Sequence, residues 1–96
     1  MKPYRRKLSR QDAETGSILI EKSRWREFPP PMQEFAVEVS GRRVATRIVA
    51  EDCVCVPPPH QHYHLEAGHF RSLLNFTPGA IIEIDRADAG YAVRNG

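Results

Sequence analysis

The residues best suited to chemistry lie in one short stretch, where two cysteines are followed by four histidines. They are Cys53, Cys55, His60, His62, His64 and His69. Thiolate and imidazole are ligands that zinc binds well in proteins. The stretch nevertheless lacks the Cys-x-x-Cys knuckles that usually wrap a structural zinc ion, and three prolines separate its two halves. We therefore predict no metal site, with core or half-buried cysteines and a row of exposed histidines. A small zinc-binding or thiol-based protein is the alternative.

A cysteine beside a histidine can also act as a nucleophile. Cys53 or Cys55 could approach His60 or His62, but no glycine-rich elbow or oxyanion-hole loop surrounds either cysteine. No glycine-rich phosphate cradle is visible elsewhere, because the glycines in the second half are isolated. We predict a protein with no catalytic activity of its own and no cofactor.

Basic residues are concentrated at the start of the chain. Residues 1–26 hold eight Lys/Arg against three acidic residues (8 − 3 = +5), and residues 27–96 hold six against nine (6 − 9 = −3). This polarity favours an anionic partner on one side, although a solvated basic end or an end that docks on an acidic protein would look the same. Trp25 lies between two arginines. Such a tryptophan can stack on bases, but we favour a core anchor.

Length and apolar content limit the class of protein. Ninety-six residues predict one domain, 1–96. No apolar stretch approaches the ~20 residues that span a bilayer, and no apolar signal core follows the basic start. With only two cysteines, these features predict reduced thiols, a cytoplasmic location and no membrane partner.

The periodicity of apolar residues predicts mostly β structure. Strand-like runs occupy 17–21, 35–39, 43–49, 53–56, 60–65, 80–84 and 90–94. Ser40 and Gly41 predict a hairpin turn between the second and third runs, because glycine supplies the positive φ that tight turns need.

Helical signals are fewer and shorter. Ser9 and Ser23 could each cap a short turn. Residues 66–75 predict a helix of about two turns, whose apolar face would be Phe70, Leu73 and Leu74. Together these elements predict a mainly β fold, an open barrel or sandwich of about seven strands with one or two short helices.

The order of these segments resembles the plant-type B-three DNA-binding domain, a pseudobarrel that also serves as the recognition module of some type II restriction endonucleases. His69 and Ala80 stand where the plant proteins favour tryptophan and aspartate. These departures indicate a bacterial or endonuclease-associated branch. The resemblance is carried by Leu8-Ser9 with Asp12 and Gly16, the run 18–22, Trp25 to Phe28-Pro29, the hairpin 41–47, and 63–70 followed by Leu73-Leu74 and 78–82.

The resemblance implies an open seven-stranded pseudobarrel that holds double-stranded DNA between two segments. Carried over by position, they are residues 9–17, here called the N-terminal arm, and residues 51–62, here called the C-terminal arm. We expect both arms to project from the same rim into the major groove. A nuclease domain in the same or a partner chain is a further expectation.

Individual roles follow from this placement. Arg10 would read guanine and Gln11 adenine by paired hydrogen bonds. Glu51 and Asp52 would be repelled by phosphate unless one of them accepts a hydrogen bond from a cytosine amino group. Phosphate contacts are expected from the basic residues Arg5, Arg6, Lys7, Lys22, Arg24 and Arg26. The polar arm residues that complete the predicted DNA site are Ser9, Ser17, His60, Gln61 and His62.

Overall fold

The computed structural model describes residues 2–53, 60–88 and 90–96. Within them lie one α-helix, α1 (Arg10–Thr15), and two single turns of 3₁₀ helix (Trp25–Glu27 and Arg71–Leu73). The eight strands are β1 (Tyr4–Lys7), β2 (Ser17–Ile20), β3 (Phe35–Val39), β4 (Arg42–Thr46), β5 (Ile48–Cys53), β6 (His60–Glu66), β7 (Ile81–Ala87) and β8 (Gly90–Asn95). The predicted mainly β fold is confirmed.

The strands form two sheets that enclose one core. The first has the order β1-β7-β8-β3-β4 and the second the order β2-β6-β5. Neighbours are antiparallel except for the β3–β8 pair, which is parallel. Both sheets contribute buried side chains to the core, among them Val37, Ile84 and Val93 from the first and Ile18, Ile48 and Leu65 from the second.

Strand β1 gives no apolar run, because only Tyr4 of its four residues is buried and the other three are basic. Its backbone pairs with β7 over its whole length, from Tyr4 opposite Ile84 to Lys7 opposite Ile81. Hydrogen bonding to β7, and not the local apolar pattern, therefore makes this segment a strand. The additional strand β1 is one reason why the structure has eight strands instead of the expected seven.

The predicted strand 43–49 is two strands. β4 ends at Thr46 in the five-stranded sheet, and β5 begins at Ile48 in the three-stranded sheet. Thr46 and Ile48 are both buried, whereas Arg47 between them is exposed. The chain thus changes sheets at Arg47, as strands do at the corners of closed β structures. Of the predicted run 53–56, Cys53 ends β5 and the rest lies outside the described residues.

The predicted helix at 66–75 is wrong. Glu66 is the last residue of β6 and pairs with Ser17, and the N–H of Ala67 donates to the carbonyl of Gly16 at 2.8 Å. Only the single 3₁₀ turn Arg71–Leu73 follows. The residues that would begin the helix are therefore used in pairing with β2. Phe70 is buried although it does not lie in a helix.

Two predicted caps have different outcomes. Ser9 caps α1 through a capping box: its Oγ accepts from the N–H of Asp12 at 3.1 Å, and its own N–H donates to the Asp12 carboxylate at 3.0 Å. The turn predicted after Ser23 exists, but the residue before it is Arg24, and no side chain caps it. No helix among the described residues has the length and apolar character to cross a bilayer.

Candidate nucleic-acid interface

One face of the three-stranded sheet points away from the core and is here called the outer face. The buried row Ile18, Leu65 and Ile48 lies on the opposite side of this sheet. Because side chains alternate along a strand, the outer face carries Ser17, Leu19, Val49, Glu51, His62, His64 and Glu66.

One residue of each arm, Ser17 and Cys53, lies at an opposite end of this sheet. Ser17, where the N-terminal arm ends, pairs with Glu66, the last residue of β6. Cys53 in the C-terminal arm pairs with His60, the first residue of β6. A strand rises about 3.3 Å per residue, so about 20 Å of β6 separates these points. Ser17 and Cys53 therefore bracket the outer face, while Ser17 and Glu51, one from each arm, line the same groove. The expectation of a single shared rim stays a prediction.

The N-terminal arm presents two of its predicted reading residues. Arg10 and Gln11 are exposed at the start of α1, and no ion pair or side-chain hydrogen bond restrains them within the described residues. Ser9 is exposed too, but its hydroxyl is used by the capping box. Ser17 is half-buried on the outer face. The arm therefore offers a guanidinium and an amide to a ligand.

Two arginines predicted to bind phosphate are half-buried and make contacts within the protein. Arg6 binds the Asp12 carboxylate through Nε at 3.0 Å and Nη2 at 2.8 Å, and Asp12 is buried. Arg24 binds the carboxylate of Glu27 and the carbonyl of Lys2. Its guanidinium also lies 5.5 Å from the centre of the Tyr4 ring. Both arginines stabilise the packing of the N-terminal segment.

The remaining predicted phosphate ligands divide between two sides of the molecule. The face of the five-stranded sheet that points away from the core is here called the far face. Arg5 lies on it, 3.8 Å from the carboxylate of Glu83, and Lys7 lies on the same face of β1. Lys22 and Arg26 are exposed and follow the last residue of β2. That end of β2 lies toward the C-terminal arm. The structure therefore does not bring all six cations together.

An aromatic stack adjoins the C-terminal arm on the side of the sheet opposite the outer face. Trp25 and Tyr63 stack with centroids 4.5 Å apart and an angle of 8° between planes, and Arg26 lies 5.5 Å from the indole centre. The Tyr63 hydroxyl donates to Oε1 of Gln61, and the Gln61 amide donates to Asp52. Trp25 is thus the packing anchor that the sequence favoured, and Gln61 is engaged within its own hairpin.

The histidines of the candidate cluster serve different purposes. His64 Nε2 lies 2.9 Å from Glu51 Oε2, and His69 Nε2 bonds to the carbonyl of Ala45. His62 is half-buried on the outer face. In the described part of the chain, no three His, Cys, Asp or Glu residues are grouped to hold a metal ion. Cys55 and the side chains of Cys53 and His60 lie outside that part.

An ion pair that no sequence pattern predicts joins Arg47 to Glu66, whose side-chain nitrogens and oxygens lie 3.1 and 3.2 Å apart. The Glu66 carboxylate raises the pKa of Arg47 by this hydrogen bond. Glu66 borders a groove in the outer face that is also lined by Ser17, Glu51 and His64. The change of sheet at Arg47 creates the pair, so the local pattern contains no signal for it.

Neither a protein-family model nor a curated protein sequence matches this chain. Among solved structures, the chain is similar to the Arabidopsis FUS3–DNA complex, with a TM-score of 0.72 and 14% sequence identity. The match covers 96% of this chain and 93% of that chain. At such low identity the similarity is one of fold, and it confirms the expected B-three-type pseudobarrel.

Proposed function

We propose that this chain binds double-stranded DNA in the major groove through the outer face of the three-stranded sheet and the two arms that bracket it. The fold similarity to a protein solved with DNA supports this proposal. The chain would act as a recognition module with some sequence preference, of a transcription regulator or of a restriction endonuclease, and the proposal gives it no catalytic step. A cytoplasmic location and a nuclease partner stay predictions.

The placement of three exposed cations carries the proposal. Arg10 lies at the N-terminal arm, while Lys22 and Arg26 lie toward the C-terminal arm, and all three are exposed. None of the three has an ion-pair partner among residues 2–53, 60–88 and 90–96. Exposed positive groups near both arms suit a polyanion that contacts both, because phosphate contacts fix the position of a protein on a duplex.

The N-terminal arm is the better candidate for reading bases. A major groove about 12 Å wide admits a helix, and α1 with its six residues presents Arg10 and Gln11 at its exposed start. Arginine pairs with guanine O6 and N7, and glutamine pairs with adenine N6 and N7. His60, Gln61 and His62 of the C-terminal arm remain candidates, although Gln61 must first release Asp52 and Tyr63.

The test measures binding of the purified chain to a labelled random duplex pool at about 50 and 200 mM salt. We expect affinity to fall steeply with salt, because each phosphate contact contributes about 0.9 to the slope of log K against log salt. Arg10→Ala should weaken binding. Arg94→Ala is the matched control, since it removes the same charge from the far face of the five-stranded sheet, where Arg94 pairs with Glu83.

Absence of binding at 50 mM salt would overturn the proposal. An equal loss of affinity in Arg10→Ala and Arg94→Ala would overturn the placement of the interface, because the effect would then follow total charge instead of position.

A further inference from the structure

The outer face carries two carboxylates that are compensated to different degrees. Glu66 is neutralised by two hydrogen bonds from the Arg47 guanidinium. Glu51 has a side chain that is 69% exposed, and its partner is the imidazole of His64 at 2.9 Å. A neutral imidazole donates a hydrogen bond without cancelling the charge. Glu51 therefore presents a negative charge on the face to which we assign DNA.

A carboxylate that faces phosphates weakens binding unless the ligand gives it a donor. In the major groove the cytosine N4 amino group is such a donor, and Glu and Asp side chains accept from it. Adenine also presents an amino group in the major groove, but its neighbouring N7 is an acceptor and repels a carboxylate, so cytosine is the better partner. A carboxylate placed here consequently favours sequence discrimination over raw affinity.

The sequence offers both Glu51 and Asp52 for this role, and the structure distinguishes them. Asp52 pairs in the ladder with Gln61, points to the other side of the sheet from Glu51, and accepts the Gln61 amide at 3.0 Å. Glu51 instead opens on the groove of the outer face, together with Ser17 and His64. Gly16 and Gly68 also line this groove without side chains, which leaves room for the edge of a base.

We propose that Glu51 is a specificity-determining residue that accepts a hydrogen bond from a cytosine amino group, and that His64 is its positioning residue. His64 Nε2–H donates to Glu51 Oε2, so that Oε1 is left to accept from the base. This proposal rests on the proposed function and adds to it one base class at one position of the bound sequence.

The experiment selects bound duplexes from a random library with the wild-type chain, Glu51→Gln and Asp52→Asn. We expect a cytosine at one position in the wild-type pool, preferred about 10-fold over other bases, as one carboxylate–amino contact allows. Glu51→Gln should lose that cytosine and should bind the unselected pool more tightly, because a negative charge is removed. Asp52→Asn is the matched control and should keep the cytosine.

His64→Gln, which keeps a donor, should retain more of the cytosine preference than His64→Phe. A merely structural role for His64 would change the affinity for all sequences alike. Identical base preferences in wild type and Glu51→Gln would overturn the role of Glu51 while leaving DNA binding intact. Loss of the same cytosine in Asp52→Asn would overturn it as well, and absence of any wild-type binding would overturn both proposals.

Discussion

Arg6 illustrates how tertiary contacts decide what a charged residue does. From the sequence it belongs to a basic end and is a candidate phosphate ligand. In the structure its guanidinium binds the buried Asp12 carboxylate, which also accepts the N–H of Ser9. Arg6, Asp12 and Ser9 thus form one hydrogen-bonded group that attaches α1 to β1. The capping box could be predicted from the spacing of Ser9 and Asp12, whereas the third member could not, because its partner is chosen by the packing of α1.

Replacing Arg6 should therefore affect stability, and replacing Arg10 should not. We expect Arg6→Ala to lower the free energy of unfolding by about 1.5–3 kcal/mol, the range for hydrogen bonds to charged groups. Arg10→Ala removes an exposed side chain that has no partner in the described part of the chain, and it should stay within about 0.5 kcal/mol of wild type. Urea denaturation monitored by circular dichroism measures both. Equal stabilities for the two variants would show that the Arg6–Asp12 contact contributes little.

Tyr4 makes the stability depend on alkaline pH. Its buried hydroxyl donates to the carbonyl of Leu19 at 2.7 Å and accepts the N–H of Glu21 at 3.2 Å. Burial raises the pKa of Tyr4 above the ordinary value of 10.0. The folded state therefore holds the proton more tightly than the unfolded chain. This contribution is complete below pH 10 and is lost as the pH rises through the folded-state pKa.

We expect Tyr4→Phe to be less stable than wild type by about 1 kcal/mol below pH 10, because two hydrogen bonds to backbone are lost. Above pH 10 the difference between the two proteins should shrink. Denaturation series between pH 7 and 11 measure the difference. A gap that stays constant across this range would contradict the raised pKa.

Among the elements, the junction of α1 with β2 depends on a close approach of two glycines. Gly16 ends α1 with a φ of +69°, and a Cβ built there would lie 2.8 Å from the Cα of Gly68. Gly41 in the β3–β4 turn has a similar φ of +75°, but a Cβ there would meet nothing within 4 Å. The two positions share the backbone requirement and differ in the available space.

Gly41→Ala should therefore cost about 1 kcal/mol, the penalty for a side chain in the left-handed region. Gly16→Ala should cost more, by about 1–3 kcal/mol, since the Cβ forces apart two backbones as overpacking does. Thermal denaturation of the two variants side by side measures the difference. Similar melting temperatures would indicate that α1 moves away from Gly68 without loss.

Local patterns predicted some elements and failed at others for one physical reason. The hairpin of β3 and β4 follows from alternation and a glycine turn, both of which are local. The break at Arg47 and the loss of the helix at 66–75 are decided by pairing with distant residues, Glu66 with Ser17 and Arg47. The exposed Arg10 and Gln11 of the site were predictable, whereas the pairing of Glu51 with His64 required the register of β5 and β6.

For the whole molecule, the position of a cation matters more than the net charge of its segment. The first 26 residues carry most of the positive charge, but Arg5 and Lys7 lie on the far face of the five-stranded sheet, away from the outer face that the arms bracket. Exposed Lys22 and Arg26 lie toward the C-terminal arm. The DNA proposal therefore assigns phosphate contacts to the second pair and none to the first.

We expect Lys22→Ala and Arg26→Ala each to weaken binding to all duplexes alike and to reduce the salt slope by about one. Arg5→Ala removes the same charge from the same segment and should leave affinity and slope unchanged. Fluorescence anisotropy over a series of salt concentrations measures these slopes. If Arg5→Ala reduces the slope as Lys22→Ala does, the chain binds DNA through another surface.

Strand β6 has seven residues, and each end of it adjoins one arm. Its length therefore fixes how far apart the two contact regions can lie on a nucleic acid. The rise per residue of a strand, about 3.3 Å, is nearly the 3.4 Å that separates successive phosphates of one DNA strand along the helix axis. In the proposed complex, a duplex whose axis followed β6 would gain about two base pairs of footprint for every two residues added to this strand and its neighbours.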